Sequence, residues 1–264
     1  MSGIRICSLY SGSEGNAFLI RTPEATLLID AGRSARRLTQ ALRECGVEPS
    51  GIDAILVTHE HTDHISALSV LLKKNPIPVH LARGCLERLQ ATLPSEELLH
   101  PHPPLWQGEI AGIRIRSFPT SHDSRASVGY RLDIPTEKGT LSLGYATDLG
   151  IVTPEVEGAL LGCQAVILES NHDLEMLRDG PYPPDLKRRI AGARGHLSNA
   201  DSAALAARLF AGGTRAFLLA HLSRENNLPE LALGECRGAL GCESVLLLAA
   251  SPDEITMLPT EDLL

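Results

Sequence analysis

The stretch Thr58-His59-Glu60-His61-Thr62-Asp63-His64 decides how this chain is read. It follows an apolar, strand-like run at 53–57 and precedes a segment of helical period at 65–74. Side-chain direction in extended backbone repeats every two residues, so His59 and His61 project to one side. Asp63 and His64 then fall at the start of the helix, whose first turn folds back over the same point. Three imidazoles and one carboxylate thus converge within positions 59–64. That donor set suits zinc, manganese or iron. By the same alternation Glu60 faces outward.

Working outward, β-branched and Leu-rich runs recur at 4–9, 17–21, 26–30, 53–57, 78–81, 113–118, 127–132, 140–145, 165–168, 216–220 and 244–248. Gly, Pro, Asn and Asp bound them, as they bound strands. Helical period appears at 35–45, 65–74, 84–92 and 200–210. Ser34 can cap the first of these, which Gly46 stops, and Ser198 or Asn199 can cap the last. Strands fill the first 30 residues and helices interleave afterwards. Neither a pure hairpin sandwich nor a strict βαβ array has that order. Two mixed sheets with helices packed outside do, an α/β architecture. No repeat, low-complexity tract or Gly/Ser linker divides the sequence, so one domain over 1–264 is expected.

The chain carries 24 Lys+Arg against 32 Asp+Glu, a formal charge of -8. At 28.3 kDa it can bury about 73% of its unfolded surface. With 43% hydrophobic and 21% charged residues it is neither disordered nor fibrous. The acidic balance excludes general adhesion to nucleic acid or anionic membrane, but it allows a local basic patch. Aromatics at 3% exclude a broad base-stacking platform. Six scattered cysteines without a CxxC read as reduced and mostly buried. No apolar run approaches the ~20 residues needed to cross a bilayer, and the first residues lack a leader pattern. A cytoplasmic chain with no membrane partner is expected. Ten histidines in an acidic chain are the compositional oddity.

The motif resembles the HxHxDH signature of the metallo-β-lactamase fold, and further stretches resemble that family's motifs in order. Leu28-Ile29-Asp30-Ala31-Gly32 resembles its Asp-x-Gly strand end. Thr120-Ser121-His122-Asp123 with Gly129-Tyr130 resembles its third-histidine motif. Ala146-Thr147-Asp148-Leu149-Gly150 resembles the bridging-aspartate segment, and Leu219-Ala220-His221-Leu222-Ser223 the last ligand motif. SLYSGSEGN, ESNHDLEML, GPYPPDLKRRI, GHLSNADSA and LAHLSRENN are similar to segments of the YycJ/WalJ-like subgroup. The implied fold is a four-layer αββα sandwich, without a β-CASP insertion. The implied cofactors are two divalent ions, zinc or manganese first, with iron compatible. His59, His61 and His122 would hold one ion, Asp63, His64 and His221 the other, and Asp148 would bridge them. Asp30 is expected behind a ligating imidazole, fixing its tautomer; Asp123 is a weaker candidate.

Metals alone serve esters, thioesters, lactams and phosphodiesters. Gly195-His196-Leu197-Ser198-Asn199 resembles the His-Ser-Thr loop of ribonuclease Z-like phosphodiesterases, with Glu169 as the carboxylate partner of His196. That pair would protonate a leaving oxygen, and the helix start beside it would bind phosphate. Ser13 and Asn16 of a Gly-rich loop, and the basic run Lys187-Arg188-Arg189, are expected to line the cleft and contact substrate. His100 and His102, set among prolines, read as loop or surface residues, as does His80; His172 and Asp173 carry no assigned role. The subgroup resemblance implies a DNA exonuclease of 5′-3′ type. A hydroxide bridging the ions would attack phosphorus, oriented by Asp63. The competing readings are a thioesterase or lactonase resembling glyoxalase II, and a metal-stabilised signalling partner without turnover.

Overall fold

The computed structural model of the chain describes residues 3–93, 95–261 and 263. Strands β1 (Arg5–Tyr10), β2 (Ala17–Arg21), β3 (Thr26–Ile29), β4 (Ala54–Val57), β5 (Val79–Ala82) and β6 (Leu99–His102) build the first sheet. Its first three strands run antiparallel, and β3 to β6 run parallel. The second sheet repeats the plan. Strands β7 (Trp106–Ile110), β8 (Ile113–Pro119), β9 (Val128–Thr136) and β10 (Gly139–Ala146) run antiparallel. From β10, the strands β11 (Ala165–Glu169), β12 (Ala216–Ala220) and β13 (Leu246–Ala249) run parallel. Strand β14 (Thr256–Leu258) returns to pair with β1.

Helices fill the connections. They are α1 (Ala35–Glu44), α2 (Thr62–Ile65), α3 (Leu68–Lys74) and α4 (Leu86–Gln90) in the first half. The second half has α5 (Pro154–Leu160), α6 (Leu174–Asp179), α7 (Pro184–Ile190), α8 (Asn199–Ala211) and α9 (Pro229–Leu240). Period-2 alternation sorts the core into two. Ala165, Ile167, Ala216 and Leu218 join the core that contains the apolar residues of the first sheet. Their neighbours Val166, Leu168, Phe217 and Leu219 face the other way, onto Val156 and Leu160 of α5 and Leu205 and Leu209 of α8. Each such fully buried Leu, Ile or Phe stabilises the fold by roughly 1.5–3 kcal/mol. The result is the expected sandwich of two mixed sheets with helices outside.

Ser34 and Ser198 cap α1 and α8 as expected, accepting from the Arg37 and Asp201 amides. The segment at 65–74 differs from its expected single helix. The helical turn starts earlier, at Thr62, and breaks at Ser66-Ala67. Backbone groups there are diverted to the 31 loop, with Ala31 N donating to His64 O at 2.7 Å and Ala67 N to Ala31 O at 2.9 Å.

His80, His100 and His102 also depart from the loop reading. They lie on β5 and β6, His80 in register with His100 and stacked against both others at ring distances of 4.9 and 5.1 Å. Prolines 101, 103 and 104 gave the segment its loop character, but β6 is an edge strand, where Pro is tolerated. Trp106, on the edge strand of the other sheet, stacks on His102 at 3.9 Å. His80 Nδ1 lies 2.9 Å from His102 Nε2. The column joins the two sheets along this side.

Burial, with His102 and His100 alongside, pushes the His80 imidazole down to about 4 from 6.5. The unfolded chain therefore binds this proton first. The contribution to stability is whole above pH 6.5 and is lost as pH falls through about 4. Replacing His80 by Phe keeps the stack and removes the titration. Melting curves between pH 7 and 4 are expected to fall less steeply for H80F than for the parent, and equal slopes would contradict this role.

Candidate metal centre

The site forms where strands end. Asp30 follows β3, Thr58 follows β4, Asp148 lies two residues beyond β10, Glu169 closes β11 and His221 follows β12. All five belong to parallel runs, whose carboxyl ends leave a crevice open for ligands. Asp30, Asp148 and His221 have φ of 59°, 59° and 57°, the left-handed region that side chains other than Gly rarely adopt. These turns aim the side chains inward instead of along the strand. Gly32 is required for a different reason: a Cβ there would stand 1.8 Å from the Asp63 carbonyl oxygen.

Four overlapping donor groups result among the described residues, and two of them are the expected ligand sets. Ligand atoms of His59, His61 and His122 lie within 4.8 Å of one another, and so do those of Asp63, His64 and His221. Asp148 stands between them, with Oδ2 3.4 Å from His64 Nε2 and Oδ1 3.6 and 3.7 Å from the Nε2 atoms of His122 and His221. The structure thus brings together all seven residues expected as ligands. Burial and neighbouring imidazoles push His59 and His61 down, keeping them as the free bases that cations bind. Burial alone would raise Asp63 and Asp148. The imidazoles of His64 and His221 override it and hold both carboxyls below their ordinary range.

His59 Nε2, His221 Nε2 and Asp148 Oδ2 are buried without a hydrogen-bond partner. An unsatisfied buried polar atom costs about 1–3 kcal/mol. Three of them, gathered around Asp148, fit a site that divalent cations would complete.

The groups behind these donors are equally specific. Asp30 Oδ2 lies 2.7 Å from His64 Nδ1, as expected, while its carboxylate also accepts from the Thr58 amide and hydroxyl at 2.8 Å. His122 Nδ1 faces the Gly195 carbonyl at 3.1 Å. Tyr130 donates its hydroxyl to Val57 O at 2.7 Å, fixing the end of β4 just before the motif. Glu169 Oε1 lies 2.8 Å from His196 Nδ1, the expected pair. The carboxylate does more than the sequence suggests: it also accepts the amides of Asp148, Leu149 and Leu197. Burial works against ionisation of Glu169, but His196 and His221 outweigh it and hold the carboxyl down to about 2. His196, in turn, loses by burial and gains more from Glu169, so its imidazole is pushed up.

A cavity of about 390 Å³ opens over the donors, lined by His61, Asp63, His122, Asp148, His196 and His221 among others. Ser13 and Arg189 line it, as expected. Asn16 does not line the cavity: fully buried, it accepts from Ser11 and Gly12, donates to Gly12 O, and sets its amide nitrogen 3.4 Å from Asp63 Oδ2 and 3.2 Å from His64 Nε2, beneath the donors. Lys187 and Arg188 also turn away. Lys187 Nζ donates to Arg178 O at 2.6 Å and Arg188 pairs with Asp185. Of the three, Arg189 reaches the cleft, where it holds Asp123 at 2.6 Å.

The start of α8 is another correction. Ser198 and Asn199 are buried, and the Asn199 and Asp201 amides are already taken by His172 O and Ser198 Oγ. Those two amides are not free to bind phosphate. Glu60 is half-buried, accepts from the Arg125 amide and the Cys85 thiol, and borders the cavity that Arg88 and Arg125 also line. Asp173 caps α6, and His172 lies buried beside α8 through its bridge to Ser198. Arg88 and Arg125, which the sequence did not single out, border a second cavity with His61, Asp63 and Arg189.

The chain matches the beta-lactamase superfamily domain over residues 25–222. It is 36% identical over 236 residues to the exodeoxyribonuclease YycJ of Bacillus anthracis, across 87% of this chain and 86% of that protein. The exodeoxyribonuclease WalJ of Streptococcus pneumoniae serotype 2 is 35% identical over 234 residues, with the same two coverages of 87% and 86%. Among solved structures, the metallo-β-lactamase fold protein YhfI of Bacillus subtilis superposes with a TM-score of 0.74 at 15% identity, covering 97% of this chain and 99% of that one. A diphosphatase of the PhnP family gives 0.68 at 16%, covering 96% and 97%. At such identities both structures speak for the fold alone. The chain therefore belongs to the metallo-β-lactamase superfamily, as a metal-dependent hydrolase of the family that holds YycJ and WalJ.

Proposed function

We propose that this hydrolase is a dinuclear phosphodiesterase that removes nucleotides from DNA ends. His59, His61 and His122 would hold one divalent ion and Asp63, His64 and His221 the second, with Asp148 between the two groups. Two such ions, when bound, lower the pKa of a water and offset charge on the phosphoryl oxygens. Asp63 remains ionised and orients the attacking water. His196, whose imidazole Glu169 pushes up, keeps Nδ1 on that carboxylate and would present Nε2 to the leaving oxygen.

The observation that carries this reading is the His196–Glu169 pair, 2.8 Å apart at the cleft wall. The ion-binding set serves many esters, but a proton donor is needed where the leaving group is poor. A thiolate departs without a proton; a sugar alkoxide does not. The guanidinium groups of Arg88, Arg125 and Arg189 beside the donors support an anionic polymer. Two divalent ions would also add four positive charges at the cleft of a chain whose formal charge is -8. The relevant field is local. The identity with proteins named exodeoxyribonucleases supports the same substrate class.

Protein loaded separately with Zn²⁺ or Mn²⁺ is expected to release nucleotides from end-labelled DNA, and D63N to lose at least ~10²-fold of that rate. Thioester turnover without phosphodiesterase activity would overturn the reading. H196A should lower kcat on DNA by about 10²–10⁴-fold while metal content stays at two ions per chain. Its loss on bis-p-nitrophenyl phosphate should be smaller, because that leaving group needs no proton; an equal loss on both, or a loss of metal, contradicts the assigned role. E169Q puts an amide NH₂ against backbone N–H donors, so its melting temperature should drop by about 5 °C or more, whereas H196A should melt near the parent.

A further inference from the structure

The GPYPPDLKRRI segment leaves an unexplained apolar wall. Leu186 and Ile190, four apart on α7, share one helix face, and Tyr182 lies just ahead of the helix, before its N-cap Pro183. All three are half-buried and line the cavity opposite the ion-binding donors. None of them belongs to either apolar core. Three apolar side chains kept at a polar cleft without a packing role call for a ligand with an apolar face.

The other aromatics are committed. Among the described residues, Tyr10, Tyr130, Tyr145, Phe18, Phe118 and Phe217 are buried. Phe210 packs against the second core and Trp106 stacks on His102. Tyr182 is the aromatic that faces the cleft. Low aromatic content argues against a multi-base platform, but one ring suffices for one base.

The wall is rigid and is tied to the proton donor. Pro181, Pro183 and Pro184 flank Tyr182 and restrict its backbone. At the far end, the His196 amide donates to Ile190 O at 2.9 Å. Gly195 permits this approach, since a Cβ there would lie 2.1 Å from that same oxygen. The distance from wall to His196 is therefore set by backbone contacts. Arg189, between Leu186 and Ile190 in sequence, faces the same cavity with a charge suited to phosphate.

We propose that Tyr182, with Leu186 and Ile190, is the stacking site for the nucleobase adjoining the scissile phosphate, a specificity device resting on the phosphodiesterase reading above. It makes the enzyme act on nucleotide units in preference to bare phosphodiesters. A cavity of about 390 Å³ falls within the usual range for small-ligand pockets, so one nucleotide unit is the appropriate scale.

The test is calorimetric binding of dAMP and of 2-deoxyribose 5-phosphate to the metal-loaded parent, Y182A and Y182F. The parent should bind dAMP the more tightly. Y182A should lose about 5- to 100-fold in affinity for dAMP and nothing for the sugar phosphate, while Y182F keeps the parent values. Equal affinity of the parent for both ligands overturns the proposal, as does an equal loss for both in Y182A. Cleavage of oligonucleotides with a normal or an abasic terminal unit separates this from the parent reading. A parent that prefers dAMP but cleaves no DNA retains the stacking site and loses the nuclease function. A parent that cleaves both oligonucleotides equally, with no dAMP preference, retains the nuclease and loses the site.

Discussion

Burying a carboxylate is costly unless every lone pair is met, and this molecule does it twice to hold its centre. Glu169 lies at the end of β11 with no exposure and takes the amides of Asp148, Leu149 and Leu197 together with His196. Asp30, beyond β3, takes the amide and hydroxyl of Thr58 together with His64. Each sheet thus places one buried acid that fixes the turn after a neighbouring parallel strand and orients an imidazole. The two turns are the ones that deliver His59 and Asp148. Removing either acid would release backbone and side chain together, which is why the centre behaves as one network and not as a set of separable ligands.

This arrangement also explains the strained backbone. Left-handed conformations at Asp30, Asp148 and His221 each cost on the order of 1–3 kcal/mol and persist only where surroundings over-determine them. Thr58 and His64 hold the first, Glu169 the second. The third is fixed by the Ser11 hydroxyl on the His221 amide at 2.8 Å and by Asn171 on its carbonyl at 2.8 Å. Extended backbone would send these side chains along the sheet faces. The turns gather them above its edge.

The parts of the site that were legible in the sequence are the ones encoded locally. His59, His61, Asp63 and His64 follow from alternation and a helical turn, and Asp148, His221 and the His196–Glu169 pair from the resemblance of their strand-end motifs. Most strands and the caps Ser34 and Ser198 follow from periodicity. What escaped depends on tertiary placement. Lys187, Arg188 and Arg189 are one basic run in sequence, but their helix divides them among three directions. Asn16 looks like a cleft residue until its loop folds beneath Asp63. His100 and His102 read as loop because prolines punctuate them, and only the pairing of β6 with β5 makes them a strand. Arg88 and Arg125 have no motif at all; α4 and the segment between β8 and β9 bring them beside the donors.

The donor groups have an unequal ancestry in the growing chain. His59, His61, Asp63 and His64 come from the first sheet's connections, whereas His122, Asp148 and His221 come from the second half. During synthesis the first triad is complete once His122 has emerged, but the second must wait for His221, about 100 residues later. At ~5–20 residues per second that interval is about 5–20 s. For that time the nascent chain presents Asp63 and His64 without their third partner. The order of the polypeptide therefore sets the order in which the two donor groups are completed.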